Sequence, residues 1–178
     1  MTELFRYSWQ PVGTSVCGTI ELYMKRVRID EVDRRHDSAT VCRPLTDAVN
    51  ATNVALNYYE LAPGDSFAYG YHMHENQEEV FAVHEGEVTF ETGDGDVCVE
   101  ADEIIRFAPG EYQQGVNTGD ERVVALAIGA PQETGQSKIL RECESCDERT
   151  RNTIEQIDQG ASKITRCLEC GSETARFE

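Results

Sequence analysis

His72 and His74 stand two residues apart, and Glu79 follows five residues later. On an extended segment, alternate side chains leave the same face about 7 Å apart along the chain, so two imidazoles placed this way can reach one ion. Glu79, opening the next segment, can face back toward them. Two imidazoles and a carboxylate suit a borderline divalent transition metal such as iron, manganese, nickel or zinc. Further along, Cys143-Glu144-Ser145-Cys146 and Cys167-Leu168-Glu169-Cys170 form two Cys-x2-Cys knuckles separated by twenty residues. Four thiolates at this spacing match a tetrahedral structural zinc site. Disulfide pairing is disfavoured in a reducing compartment, and redox use of either pair is disfavoured because no βαβ unit surrounds it.

The elements that must position these groups read as short strands. Alternation over residues 54–61 is followed by the turn Pro63-Gly64-Asp65 and an aromatic-rich stretch over 66–73, which reads as a hairpin. Further strands are expected over 79–84, 87–92, 97–100, 104–107 and 122–128, separated by turns at Glu85-Gly86, Gly93-Asp94-Gly95, Pro109-Gly110 and Thr118-Gly119-Asp120. Strands punctuated every eight to twelve residues predict an all-β sandwich or closed barrel. We divide the chain into an N-terminal segment (1–45), a barrel (46–132), a linker (133–138) and a four-cysteine module (139–178). Met24 offers an alternative start, since residues 1–23 show no clear periodicity. Parity along 79–84 sends Phe81 and Val83 inward with Glu79, as expected pocket-lining residues, and His84 outward. His36, in a polar run, reads as solvated, and Cys17, Cys42 and Cys98 each read as a small buried or inert thiol.

The run His72-x-His74-x4-Glu79-x6-Gly86 resembles the first signature of the cupin superfamily. Ala101-Asp102, Ala108-Pro109-Gly110-Glu111-Tyr112-Gln113 and Asn117 resemble the second. The resemblance spans roughly residues 45–130 and implies a double-stranded β-helix, or jelly-roll, with a metal held by His72, His74 and Glu79, and a tendency to form homodimers. Gln113 stands where the second signature places a histidine. An amide oxygen is a weaker and harder donor than imidazole and cannot serve as a general base, so Gln113 is expected as a fourth ligand or as a hydrogen bonder to substrate. The preceding glycine also departs from the pattern: Gly64 lies eight residues before His72 and Gly70 two. The C-terminal cysteines resemble a zinc ribbon, with Gly171 at the turn after the second knuckle.

Composition bounds the partners. Acidic residues outnumber basic ones 33 to 16, and only Lys25, Lys138 and Lys163 are lysines. That balance suggests a salt-adapted, halophile-like surface and opposes attraction to nucleic acid or anionic membranes. Residues 139–178 carry six basic and nine acidic side chains, which argues against nucleic-acid binding by the cysteine module. The first twenty residues show no basic cluster followed by an apolar run, and no apolar stretch approaches a membrane span, so a cytoplasmic protein is expected. Two function classes remain. One is a metal-dependent enzyme of oxygenase or isomerase type acting on a small polar molecule. The other is a non-catalytic small-molecule or metal-sensing module whose zinc ribbon docks a partner protein.

Overall fold

The computed structural model describes residues 24–35 and 37–177. Residues 1–23, with Cys17 among them, and His36 therefore lie outside the described residues. Thirteen strands follow in order: β1 (Val41–Pro44), β2 (Ala55–Leu61), β3 (Tyr71–His74), β4 (Glu78–Glu85), β5 (Glu87–Thr92), β6 (Gly95–Glu100), β7 (Ile104–Phe107), β8 (Gln113–Val116), β9 (Val123–Ala130), β10 (Ser137–Cys143), β11 (Glu148–Ile157), β12 (Ser162–Cys167) and β13 (Glu173–Phe177). They form a five-stranded sheet, β1-β2-β9-β4-β7, and an eight-stranded sheet, β13-β12-β11-β10-β3-β8-β5-β6.

The two sheets meet through phenylalanines that alternation points inward. Phe81 on β4 and Phe107 on β7 come from one sheet, and Phe90 on β5 from the other. Ring centroids lie 5.1 Å apart for Phe81 and Phe90, and 5.3 Å for Phe90 and Phe107. Phe67, on the crossing between β2 and β3, packs on Phe81 at 4.8 Å. Each such pair adds about 0.5–1.5 kcal/mol beyond the area it buries. The corner between β4 and β5 requires Gly86: its φ is +79°, and a Cβ there would sit 2.6 Å from the Arg122 carbonyl oxygen.

One expectation is corrected by the topology. The segments around 54–61 and 66–73 do not form a hairpin, because β2 pairs with β1 and β9 whereas β3 pairs with β8 and β10 in the opposite sheet. Residues 62–70 cross between sheets, which local turn chemistry alone cannot distinguish from a hairpin return. The division drawn at 45/46 falls in the turn between β1 and β2, and that at 138/139 falls inside β10. β1 is a sheet partner of β2, and β10 pairs antiparallel with β3, with Ser137 opposite His74 and Ile139 opposite His72. The stretch 133–136 is likewise tied down: the Asn76 amide N–H donates to the Thr134 carbonyl at 3.1 Å and that of Glu75 to Gln136 at 2.9 Å. Among the described residues, no helix is long and apolar enough to cross a membrane.

Candidate metal centres

β3 is only four residues long, but it sits between β8 and β10, so its side chains are held from both sides. His72 and His74 leave one face with ring centroids 4.9 Å apart. The inter-sheet packing brings Glu79, near the start of β4, opposite them. Its two carboxylate oxygens lie 3.5 Å from His72 Nε2 and 3.4 Å from His74 Nε2. Burial acts to raise the Glu79 carboxyl, but imidazole N–H groups turned toward it outweigh that effect and hold the group at about 2, so the side chain faces the rings as a carboxylate.

The far edges of the two rings decide which nitrogens face the centre. His72 Nδ1 lies 3.1 Å from the Gly70 carbonyl oxygen, which can only accept, so Nδ1 carries a proton, and Nε2 on the Glu79 side is left to hold a cation, either a proton or a metal ion. His74 Nδ1 meets Ser137 Oγ at 2.7 Å, an arrangement that likewise leaves Nε2 toward Glu79. Neutral imidazole lone pairs directed at a carboxylate repel one another unless a cation lies between them. The 3.4 and 3.5 Å separations suit nitrogen and oxygen ligands each about 2.1 Å from a common ion. The donor set therefore fits a divalent transition metal, with the carbonyl and hydroxyl behind the rings fixing ligand orientation.

Gln113 is brought into this centre in a different posture from that of an amide-oxygen ligand. It is 1% exposed, and its Nε2 donates to Glu79 at 2.8 Å and lies 3.4 Å from His72 Nε2. An ionised carboxylate accepts only, so the amide nitrogen faces it, and in this arrangement Gln113 holds Glu79 in place. Its Oε1 is buried without a partner. Asn117, from the same stretch of sequence, is consumed structurally: its amide donates to the carbonyls of Leu61 and Glu121 at 3.0 and 2.8 Å.

A cavity of about 290 Å3 opens above the centre, reaching His72, His74 and Glu79. By area its wall is largely apolar, with Ala55, Phe67, Ile139 and Ile154, and its polar groups include Arg35, Asp37, Asn57 and Gln77. Phe81 and Val83 point inward as parity requires, but they lie in the core beneath the cavity and not on its wall; Phe67 intervenes. His84 is exposed. Ser137, Ile139 and Ile154 carried no local signal for this site, because each reaches it through pairing or packing across 60 or more residues of sequence. Arg35 is itself held by Asp37, to whose carboxylate it donates from Nε and Nη2 at 3.0 and 2.7 Å.

The four knuckle cysteines converge on a second point, all four sulfurs lying within 4.8 Å of one another. Cys143 and Cys170 sulfurs are 3.5 Å apart and those of Cys146 and Cys167 3.9 Å. Sulfurs bonded to one tetrahedral zinc at about 2.3 Å would be separated by roughly 3.8 Å. The Cys167 thiol is pushed down to about 6, first by the Thr150 hydroxyl, which donates to its sulfur at 3.2 Å, and further by backbone N–H groups, including that of Glu169. A ready thiolate among four converging sulfurs fits a soft or borderline metal.

The two facing sheets and the two-histidine, one-carboxylate group inside them define a cupin fold, a double-stranded β-helix with a possible metal centre. Residues 57–129 match the family described as cupin domain. No curated protein sequence matches the chain. Among solved structures, a sugar phosphate isomerase from a cupin superfamily, from Silicibacter pomeroyi, superposes with TM-score 0.60 at 19% identity, covering 84% of this chain and 97% of that one. A conserved protein with a double-stranded β-helix domain from Klebsiella pneumoniae gives 0.56 at 19% identity, covering 70% of this chain and 98% of that one. A predicted oxalate decarboxylase from Thermotoga maritima gives 0.52 at 23% identity, covering 60% and 98%. At these identities the likeness concerns the fold.

Proposed function

We propose that this protein is a metal-dependent cupin that binds a small polar molecule at a divalent transition ion held by His72, His74 and Glu79, and transforms it by isomerase- or oxygenase-type chemistry. The carrying observation is the convergence of His72 Nε2 and His74 Nε2 on the Glu79 carboxylate, each ring fixed from behind by an oxygen partner. Three protein ligands leave coordination positions open toward the cavity. The ion would supply Lewis-acid polarisation or a redox centre. The chain's own groups do the rest: Gln113 holds the Glu79 carboxylate, the apolar wall excludes water, and Arg35 and Asn57 offer hydrogen bonds that orient a polar ligand. A cavity of about 290 Å3 suits a small molecule such as a sugar derivative or short oxyacid. Two fold relatives described as a sugar phosphate isomerase and a predicted oxalate decarboxylase are in keeping with that size class. The four cysteines, on this reading, hold one structural zinc.

Elemental analysis of the purified full chain tests the proposal. Zinc at about one equivalent together with iron, manganese or nickel is the expected result. Zinc alone at one equivalent, unchanged after incubation with each of the other three metals, would remove the barrel centre from the account.

A further inference from the structure

We propose that the four-cysteine unit is a working part of the barrel centre: Ser137 is a positioning residue for His74, and the metal at Cys143, Cys146, Cys167 and Cys170 holds Ser137 and one cavity wall in place. This rests on the reading of His72, His74 and Glu79 as metal ligands.

The physical link is β10. Its first residue, Ser137, meets His74 Nδ1 at 2.7 Å; its last, Cys143, is one of the four converging thiols. Six residues of extended chain, about 20 Å, join them. Along that length Lys138, Ile139 and Leu140 pair with Met73, His72 and Tyr71, so β10 backs both metal-bearing residues of β3. For Nε2 of His74 to ligate, Nδ1 must keep its proton, and Ser137 Oγ is placed to accept it. Such a partner fixes the ring's tautomer and angle, and its removal costs about 10–100-fold in metal affinity.

The same unit supplies cavity wall. Ile139 from β10 and Ile154 from β11 both line the space above the ion. An appendage used only for docking a partner would have no reason to face the barrel interior. Elsewhere the unit meets the barrel at Tyr69, whose ring packs edge-on against Phe177 with centroids 4.8 Å apart and whose hydroxyl accepts from Lys163 Nζ at 2.7 Å, and at one partly exposed ion pair. Arg149 on β11 donates to Glu91 on β5 at 2.7 Å and lies 5.0 Å over the Tyr71 ring, an arrangement at a partly exposed surface where ion pairs contribute little.

The unit has little apolar material with which to hold itself together. Among its described residues, the buried ones are Cys143, Cys167 and Ile164 with the polar Thr150, Asn152 and Thr165. Thr174 Oγ1 donates to Asn152 Oδ1 at 2.6 Å and lies 2.8 Å from Thr165 Oγ1, which satisfies the polar groups without creating a hydrophobic core. In a segment this small, metal binding supplies folding free energy directly. Loss or oxidation of the thiolate site should therefore loosen β10 and, through Ser137, weaken the barrel centre. By linkage the coupling is reciprocal, so barrel metal strengthens zinc binding by the same factor, a change too small to empty a four-thiolate site.

The test is Mn(II) binding to zinc-loaded full-length protein whose barrel has been emptied, followed by the electron paramagnetic resonance signal of free Mn(II). Mn(II) prefers nitrogen and oxygen ligands and does not compete for the thiolates. Ser137→Ala should weaken binding about 10-fold or more while retaining one zinc, and Ser137→Thr, which restores a hydroxyl, should return to within about threefold of wild type. Stripping zinc from the cysteines should weaken Mn(II) binding by a similar factor, reversed by one equivalent of zinc; this arm also reads the coupling if Ser137→Ala fails to fold. Wild-type affinity in Ser137→Ala, or in the zinc-stripped chain, would overturn the corresponding half of the proposal. Failure of the wild type itself to bind Mn(II), Fe(II) or Ni(II) in the barrel would overturn the reading of His72, His74 and Glu79 instead.

Discussion

The side-chain amide of Gln113 donates to the Glu79 carboxylate at 2.8 Å from a position that solvent hardly reaches. A hydrogen bond to an ionised acceptor in such a place contributes about 1.5–3 kcal/mol. Gln113→Leu keeps the approximate volume and removes the donor, so it should lower unfolding free energy by that amount in urea titrations of the barrel-empty protein. It should also weaken barrel metal binding, since Glu79 loses its orientation. Wild-type values for both would mean that the amide is a bystander.

The two candidate metal centres share β10 but no side chains, which gives His74→Ala an asymmetric expected outcome. Removing one of three barrel ligands should abolish barrel metal retention through gel filtration while leaving about one zinc per chain at the cysteines. Loss of both metals together, measured by elemental analysis on folded protein, would contradict the separation of the sites.

The part of this site that sequence made legible is the part governed by parity and short spacing. His72-x-His74 reports a shared strand face, and the two knuckles report four converging thiols, because in each case the relevant spacing is local. Parity also sends Phe81 and Val83 inward, but it fixes only the face of a strand and not the depth along it. Two residues beyond Glu79 is about 7 Å further into the barrel, far enough to pass from cavity floor to apolar core. Ser137 was invisible for a different reason: its meaning depends on the register of β10 against β3, 63 residues away, and the knuckles drew a boundary through that strand. The jelly-roll crossing between β2 and β3 was missed because a turn with Pro63 and Gly64 looks the same whether the chain returns to its own sheet or leaves for the opposite one.

The cysteines outside the knuckles should separate by reactivity. Cys42 is fully buried; burial first, and then the nearby Asp37 carboxylate, push its thiol up to about 11 against the opposing effect of Arg35. At pH 8 only about one molecule in a thousand would carry the thiolate, which is the reactive form. Cys98 is exposed on β6. Iodoacetamide at pH 8, read by peptide mass mapping, should modify Cys98 and spare Cys42, with Cys42 labelling emerging only as pH approaches 11 or when the chain is unfolded. Equal labelling at pH 8 would place Cys42 outside the core.

Gly70 joins the two halves of the metal account in a single residue. Its carbonyl accepts the His72 Nδ1 proton at 3.1 Å, while its Cα lies against β10 so closely that an added Cβ would sit 2.9 Å from both the Leu140 carbonyl oxygen and Arg141 Cγ. The backbone oxygen cannot yield as a flexible side chain could, so Gly70→Ala must open the seam between β3 and β10 by several tenths of an ångström. Overpacking of this kind costs about 1–3 kcal/mol, and here the displacement falls on the partner of one ligand and the strand that carries the partner of the other. The variant should therefore lose barrel metal affinity by more than its stability loss alone explains: Mn(II) binding should weaken at temperatures where circular dichroism shows the chain fully folded. A Gly70→Ala protein that is destabilised yet binds Mn(II) as the wild type does would show that the seam supports the fold without positioning the ligands.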